Sequence, residues 1–263
     1  VMPNNKDFKN YEDKLMLGKS DINSDIFDVI VFAQPDITSV TIPSNIKIIG
    51  PESFIRSKIE SIVIPSSVTE IGANAFADCR SLKNVEISPD SKLEIIGYSA
   101  FYKTNITSIF IPSNVTKICE SAFNFCYSLN KVEFASDSNL QIIGKFAFHH
   151  ASFESIIIPS HTKIIDDWSF SKCSNLKSCI FQADSELRII GESSFKYTII
   201  ESISIPSTVV MIGSLLFKNC EKLQQVIFQP DSQLRVIGSG AFYCVSINNL
   251  IIPKNITKIY EDA

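Results

Sequence analysis

The sequence lacks several features that would narrow its function. No run of about 18 apolar residues, the length that spans a bilayer, is present. There is no Lys/Arg run of the kind that marks a nucleic-acid-binding face. The motifs H-E-x-x-H, C-x-x-C and G-x-S-x-G are missing, so no metalloprotease, zinc or serine-hydrolase constellation is visible. We therefore expect no enzymatic activity, no cofactor, no metal and no nucleic-acid partner.

A signal peptide is also not visible. The residues before Ile26 are mostly polar, and the first apolar run, Ile26–Ala33, is interrupted by Asp28. We expect the sequence to be a fragment of a longer chain, without a signal peptide or anchor in the part given. The net charge is −4, and a hydrophobic content of 45% is enough for a sizeable core.

What the sequence does contain is a repeat. The dipeptide Ile-Pro begins at residues 64, 111, 158, 205 and 252, each 47 after the one before. A phenylalanine column recurs with gaps that alternate between 22 and 25 residues. Its members are Phe54, Phe76, Phe101, Phe123, Phe148, Phe170, Phe195, Phe217 and Phe242. The 47-residue super-repeat divides into a 24-residue unit (residues 64–87) and a 23-residue unit (residues 88–110).

Each unit consists of two segments that recur along the chain. The first is a strand-like segment, L-x-x-V-x-I, followed by a Pro or polar turn. The second is a return segment, I-G-x-x-A-F, whose recurring glycine predicts either a positive φ or a close backbone approach. Because one unit cannot bury its apolar residues alone, stacked units must bury those of their neighbours.

These features predict an α/β repeat fold. We expect a right-handed leucine-rich-repeat solenoid with a parallel β-sheet on the concave face and short helical turns on the convex face. The ten expected strands run from Ile37–Ile42 to Ile247–Ile252. We expect residues 1–36 to form an N-terminal capping segment. Residues 37–263 would then form an array of about ten units of 22–24 residues, truncated at the C-terminus.

The pattern L-x-x-V-x-I-P-S-x-V-x-x-I-G-x-x-A-F-x-x-C resembles the BspA-like leucine-rich repeats over residues 37–263. The lead-in Phe27–Pro43 looks like the start of arrays in the protozoan branch of that family. The resemblance implies a surface antigen or adhesin that contacts host cells, matrix proteins or other microbes. It also implies a cell-surface or secreted location. Likeness of fold does not by itself establish function.

Two columns are predicted to be core. The phenylalanines should stack as a spine. Cys79, Cys126, Cys173 and Cys220 recur every 47 residues. Since rungs lie about 4.8 Å apart, these cysteines would be roughly 10 Å from one another. A disulfide needs Cα atoms within about 7 Å, so we expect buried free thiols.

Some polar groups have two interpretations. His149–His150 and Asp166–Asp167 occupy neighbouring rungs, which is compatible with a weak metal site and better with a solvated polar patch. Trp168 is either an exposed contact or a local packing change. An aspartate ladder suggests a calcium site or, with more support, turn chemistry, because its members would be roughly 10 Å apart. The ladder consists of Asp90, Asp137, Asp184 and Asp231.

The strand segments also predict a binding face. Positions three and five of L-x-x-V-x-I point out of the sheet, and position five is rich in large apolar residues, which often marks an interface. Isolated β-branched residues are also simply good strand formers. The predicted partner-binding residues are Val63, Phe110, Lys131, Glu133, Ile157, Ile180, Gln225, Ile227 and Ile251. Two N-x-T sequons in turns, at Asn114 and Asn255, predict glycosylation, and a third at Asn105 is less favourably placed.

The sequence thus favours a non-enzymatic recognition or adhesion module. Its expected partner is a protein or a ligand on a host cell or matrix, bound through the strand face. The alternative is a structural protein that associates with copies of itself into homo-oligomers.

Overall fold

The computed structural model describes residues 6–263, and the regular elements in this range are all β-strands. They are β1 (Lys9–Tyr11), β2 (Leu15–Gly18), β3 (Val29–Ala33), β4 (Ile48–Ile49), β5 (Ser61–Ile64), β6 (Glu70–Ile71), β7 (Asn84–Ile87), β8 (Ile95–Ile96), β9 (Ser108–Ile111), β10 (Lys117–Ile118), β11 (Lys131–Phe134), β12 (Ile142–Ile143), β13 (Ser155–Ile158), β14 (Ile164–Ile165), β15 (Ser178–Phe181), β16 (Ile189–Ile190), β17 (Ser202–Ile205), β18 (Met211–Ile212), β19 (Gln225–Phe228), β20 (Val236–Ile237) and β21 (Lys258–Ile259).

One sheet of 13 strands runs the length of the molecule in the order β1-β2-β3-β4-β6-β8-β10-β12-β14-β16-β18-β20-β21. The first three strands pair antiparallel, and every later neighbour pairs parallel. From β4 onward each unit contributes only two residues, most often Ile-Ile. We call this the Ile-Ile sheet. The sequence patterns did not predict it, because two residues are too few to show a strand periodicity.

The strand-like segments form four separate parallel pairs, β5–β7, β9–β11, β13–β15 and β17–β19. The expectation of one continuous sheet of ten such strands is therefore wrong. Between pairs, hydrogen bonds occur ahead of the strands, as from Thr107 N to Lys83 O at 3.1 Å. The outer segments Ile37–Ile42 and Ile247–Ile252 are not strands. Each has a paired unit on at most one side, which removes half of the ladder that would hold it.

The return segments are not helical, so the expected helical turns and the α/β class are wrong. Each column phenylalanine has a positive φ two residues before it and two residues after it, as at Asn74 (φ 55°). Backbone N–H groups alternate in their direction. Ala75 N donates to Gly72 O three residues back, whereas Phe76 N donates to Ala100 O in the next unit, at 2.8 Å. A left-handed residue at every fourth position prevents the repeated right-handed dihedrals that a helix needs.

The core columns are confirmed. All nine column phenylalanines form one stack, with neighbouring ring centroids 4.9–5.8 Å apart. The recurring glycines are explained by close approach and not by positive φ. A Cβ on Gly97, for example, would lie 2.6 Å from Ile71 O of the preceding unit.

All seven cysteines are free, and the four in the column are buried. Each column thiol donates to the carbonyl of the phenylalanine in the preceding unit, as from Cys126 Sγ to Phe101 O at 3.0 Å. The thiols are therefore more than apolar filler, because each adds a hydrogen bond between units to a carbonyl that already accepts the backbone N–H three residues later, as Phe101 O does from Thr104 N at 3.2 Å. Burial raises the pKa of Cys126 to about 12 and that of Cys220 to about 11.

Candidate functional site

The nine predicted site residues lie along the four strand pairs and just beyond them. We use the name strand-pair face for the outward side chains at positions three and five of these segments. Five of its apolar members are exposed by the following fractions: Val63 58%, Ile157 53%, Ile180 53%, Ile227 44% and Ile251 80%. Phe110 is half-buried, and Lys131, Glu133 and Gln225 are exposed. The outward orientation inferred from the period of two is correct for this row.

Register places these residues opposite one another or opposite polar partners. Ile157 pairs with Ile180 between β13 and β15, which gives two adjacent apolar side chains. Phe110 pairs with Glu133 between β9 and β11. In the β13–β15 pair both strands expose an apolar side chain to water, so this pair is the most apolar part of the strand-pair face.

Shallow clefts open on this face. One has a volume of about 640 Å³ and is lined by Phe110, Lys131, Glu133 and Ile157 among others. Another, of about 490 Å³, is lined by Gln225, Ile227 and Ile251. The volumes are in the range of ligand pockets, but their open shape suits a surface that meets another macromolecule better than one that encloses a small substrate.

The charges on the first cleft neutralise one another. Lys131 Nζ lies 2.8 Å from Glu133 Oε1, and Lys177 Nζ lies 2.9 Å from Glu154 Oε2. All four side chains are more than half exposed, so these pairs contribute little to folding stability. Neutralised charges thus lie beside the apolar pair Ile157 and Ile180, and apolar side chains with polar surroundings are the usual arrangement at a protein interface.

Sequence reasoning missed three half-buried aromatic residues at the sixth position of the strand segments, two of which line the clefts. In the alternate units this position is isoleucine, and Ile111 and Ile158 there are buried. Phe134, Phe181 and Phe228 occupy the same position but are only half-buried, and Phe134 and Phe228 line the two larger clefts. The signal was present in the sequence, because these units carry Phe where the alternate units carry Ile.

The histidines and aspartates that suggested either a metal site or a polar patch have local hydrogen-bond partners. His149 Nδ1 lies 3.1 Å from Asn124 Oδ1. Asp166 and Asp167 each accept a backbone N–H, from Asp167 and Glu192 respectively, at 2.8 Å. Within residues 6–263 no group of three or more His, Cys, Asp or Glu side chains could hold a metal ion. These aspartates therefore have a local structural role.

The Asp-Ser turns show the expected turn chemistry. In each 23-residue unit the serine Oγ accepts the backbone N–H two residues later, as Ser91 does from Leu93 at 3.2 Å. At the sequons, Asn114 Nδ2 donates to Ser91 O at 2.8 Å, and Asn255 Nδ2 donates to Ser232 O at 2.7 Å. These asparagines are exposed in turns and also connect neighbouring units.

The stacked units, the long parallel sheet and the internal phenylalanine spine define a parallel β-solenoid of the leucine-rich-repeat type. A family model described as the BspA type leucine rich repeat region (6 copies) matches residues 25–141, 94–192 and 141–263. The chain belongs to this family, as the repeat pattern indicated. No curated protein matches the chain.

Solved structures resemble it in fold. A leucine-rich repeat protein from Bacteroides ovatus is 23% identical, with a TM-score of 0.67, over 100% of this chain and 79% of that one. The pneumococcal vaccine antigen PcpA is 19% identical, with a TM-score of 0.65, over 97% and 78%. A leucine rich cell surface protein from Faecalibacterium prausnitzii is 24% identical, with a TM-score of 0.51, over 97% and 83%. At these identities the likeness concerns the fold alone. Residues 6–263 contain no helix that is long and apolar enough to cross a membrane.

Proposed function

We propose that this protein is a non-enzymatic recognition module that binds a macromolecular partner, most simply a protein, through the strand-pair face. The exposed apolar pair Ile157 and Ile180 is the observation that carries the proposal. A contiguous apolar surface rimmed by polar groups is typical of interaction sites. A mutually neutralised border of lysines and glutamates favours a protein surface over a polyanion at this face.

We also propose that the module acts at the cell surface. Two proteins of similar fold are described as a cell surface protein and a vaccine antigen, which supports this location. A partner on host cells or in the extracellular matrix would suit it. Residues 1–36 are proposed to cap the first unit, with β1 and β2 lying against β3. The first five residues of that segment lie outside the described part of the chain.

The proposal is tested with a panel of host cells, matrix proteins and glycans. Wild-type protein is compared with Ile157→Asp/Ile180→Asp, which places two charges in the apolar centre. Ser174→Asp/Ala183→Asp is the matched control, because both residues are exposed and lie outside the strand-pair face. We expect the first variant to lose its partner and the control to keep it, with both folded by circular dichroism. Full binding by the first variant would refute the proposal.

Self-association through the strand-pair face is a second candidate function, favoured by one observation. Ile157 and Ile180 are opposite each other and each leaves 53% of its surface exposed, so a second copy docked on this face would bury them. Sedimentation velocity across a hundredfold concentration range should then show a dimer, which Ile157→Asp/Ile180→Asp should dissociate. A monomer at every concentration excludes this function.

We further propose that Asn114 and Asn255 accept N-linked glycans in a host that glycosylates secreted proteins. Each amide uses one N–H in its bond to the preceding unit, which leaves the other directed away from that bond. Intact-mass measurement before and after glycosidase treatment tests this, with Asn114→Gln and Asn255→Gln as variants. No mass change in wild-type protein from a glycosylating host would contradict the assignment.

A further inference from the structure

A second surface feature lies on the return segments, outside the strand-pair face. We call it the aromatic–lysine cluster, and its rings are Tyr102, Phe125, Tyr127, Phe146, His150 and Trp168. Four lysines border these rings: Lys103, Lys145, Lys172 and Lys196. Ring centroids are 5.7 Å apart for Tyr102 and Phe125, 4.9 Å for Phe125 and His150, and 5.8 Å for Phe146 and Trp168. Buried His149 connects the two halves, 5.5 Å from Phe125 and 5.4 Å from Phe146.

The repeat does not need rings at these positions. Phe146 and Trp168 stand two residues before a column phenylalanine, and no other unit has a ring there: the other residues are Glu52, Asn74, Ser99, Ser121, Ser193, Leu215 and Gly240. Both have a positive φ, 55° and 59°, which is unfavourable for a bulky side chain. Since small or polar residues suit this backbone better and most other units carry them, the two rings are departures from the repeat that contact with a ligand would explain.

The lysines of the cluster keep their charge available. Lys196 Nζ lies 4.8 Å from the centre of the Trp168 ring, and Lys103 Nζ lies 4.9 Å from that of Tyr102. Lys145 Nζ lies 5.6 Å from the Phe146 ring. None of the ion pairs within residues 6–263 includes Lys103, Lys145, Lys172 or Lys196. Cation–π contacts position a lysine without neutralising it, so these cations remain open to an anion.

The histidines add hydrogen-bonding capacity but no charge near neutral pH. Burial, the neighbouring His150 and Lys172 lower the pKa of His149 to about 4. Burial and Lys172 also lower the pKa of His150. The positive charge of the cluster therefore comes from lysine.

We propose that the aromatic–lysine cluster binds a sulfated polysaccharide. The lysines would pair with sulfate groups, and the exposed carbons of the rings would contact sugar C–H groups. The hydroxyls of Tyr102 and Tyr127, which have no hydrogen-bond partner in the described part of the chain, would bond to sugar hydroxyls. With units about 4.8 Å apart, Lys103 and Lys196 are separated by about 19 Å along the array, which suits an extended chain ligand.

The stacking geometry argues against single-stranded nucleic acid. Nucleobases need free ring faces on which to stack. Here the faces of Phe125 and His150 lie against each other at 22°, those of Phe146 and Trp168 at 29°, and lysines cover others. The cluster instead combines ammonium groups with tyrosine hydroxyls, which suits a hydroxyl-rich polyanion.

A binding titration tests the proposal with heparin octasaccharide as the probe. Its chemically desulfated form, a single-stranded oligonucleotide and a polyglutamate peptide serve as comparison probes. The triple variant Lys103→Gln/Lys172→Gln/Lys196→Gln is compared with Lys83→Gln/Lys92→Gln/Lys222→Gln, three exposed lysines elsewhere that lower the net charge equally. Trp168→Asn, which suits the positive φ, removes the central ring without loss of charge.

We expect the octasaccharide to bind wild-type protein and the desulfated form to bind at least tenfold more weakly. The cluster triple variant and Trp168→Asn should weaken binding at least tenfold, while the control triple stays within twofold. Ile157→Asp/Ile180→Asp should bind the octasaccharide normally, which separates this site from the strand-pair face. Equal loss in both lysine triples, or equally tight binding of the oligonucleotide or polyglutamate, would overturn the proposal.

Discussion

Ile157 and Ile180 are direct partners in the register of β13 and β15, and each leaves 53% of its surface exposed. Full burial of an isoleucine side chain stabilises by about 1.5–3 kcal/mol. Covering this pair would therefore stabilise a complex by a few kcal/mol, which is the contribution expected of an interface centre. The solenoid presents the pair on strands whose register is fixed from behind by the core.

The phenylalanine spine should dominate folding stability. Phe123 stacks between Phe101 and Phe148, with centroids 5.3 and 5.2 Å away, and is fully buried. Phe123→Ala should cost about 3–5 kcal/mol because it leaves a cavity inside the stack. Phe242→Ala is the control, since that ring is half-buried and stacks on Phe217. Urea denaturation should show a much larger loss of unfolding free energy for Phe123→Ala than for Phe242→Ala. Equal losses would contradict the idea that burial within the phenylalanine stack determines its contribution to stability.

The thiols should differ sharply in reactivity. Cys244 is exposed and Cys119 is partly exposed, whereas the other five cysteines are buried. A water-soluble thiol reagent should modify Cys244 at once and Cys119 slowly, and the rest only after unfolding, as peptide mass mapping would reveal. Rapid labelling of Cys126 in native protein would show that the column is open.

The same thiols predict a loss of stability in alkali. The folded pKa of Cys126 is raised to about 12 from an ordinary value of 9.0, because burial disfavours the thiolate. The folding stability that depends on the protonated Cys126 thiol is fully present below pH 9. It is lost as pH rises from 9 toward about 12, because the unfolded chain then ionises first. Cys126→Ala should remove that part of the alkaline loss in a series of thermal melts. An unchanged alkaline profile in the variant would show that Cys126 ionises equally in both states.

Asp28 should hold the N-terminal strands in place. Burial alone would raise the pKa of Asp28, but hydrogen bonds from Ser20 and Lys47 lower it below its usual value. The Ser20 N–H and hydroxyl each lie 2.8 Å from the carboxylate, and Lys47 Nζ lies 3.0 Å away. A lowered pKa means that this stabilisation is present above about pH 4 and is lost as pH falls further.

The corresponding variant is Asp28→Asn, with exposed Asp36→Asn as the control. At pH 7, hydrogen exchange across residues 15–33 should become faster in Asp28→Asn, by an amount matching about 1–3 kcal/mol for a broken buried charge contact. As pH falls below about 4, the difference between the variant and wild-type protein should shrink. A variant that exchanges like wild type at pH 7 would show that the carboxylate does not anchor these strands.

The repeat period, the phenylalanine spine, the free thiols and the outward row at Ile157 and Ile180 could all be read from the sequence. Each depends on one residue type that recurs at a fixed interval. The Ile-Ile sheet could not, because each unit contributes two residues and the sheet exists only through neighbours 22 or 25 residues away. Nor could the non-helical return segments, where Phe125 and Leu215 have positive φ values that intrinsic preference does not indicate.

The aromatic–lysine cluster was also hidden from the sequence. Its rings occupy different columns, and contacts such as Phe146 with Trp168 join residues in neighbouring units. Aligning the repeats shows the residues that recur at each position. The residues of this cluster differ from those recurring residues, so the alignment does not show them as a group. Two predictions came near it. One placed a polar patch at His149–His150 without the rings around it, and the other made Trp168 either an exposed contact or a packing change; Trp168 does pack against Phe146 while remaining partly exposed.

The most direct test of the recognition role is a titration of the partner found in the binding panel against Ile157→Ala/Ile180→Ala. Alanine removes the apolar contact without adding charge, and both side chains are half-exposed, so the fold should be kept. The dissociation constant should rise at least tenfold, or about 1.4 kcal/mol, while the melting temperature changes little. A dissociation constant within twofold of wild type would contradict recognition through the strand-pair face.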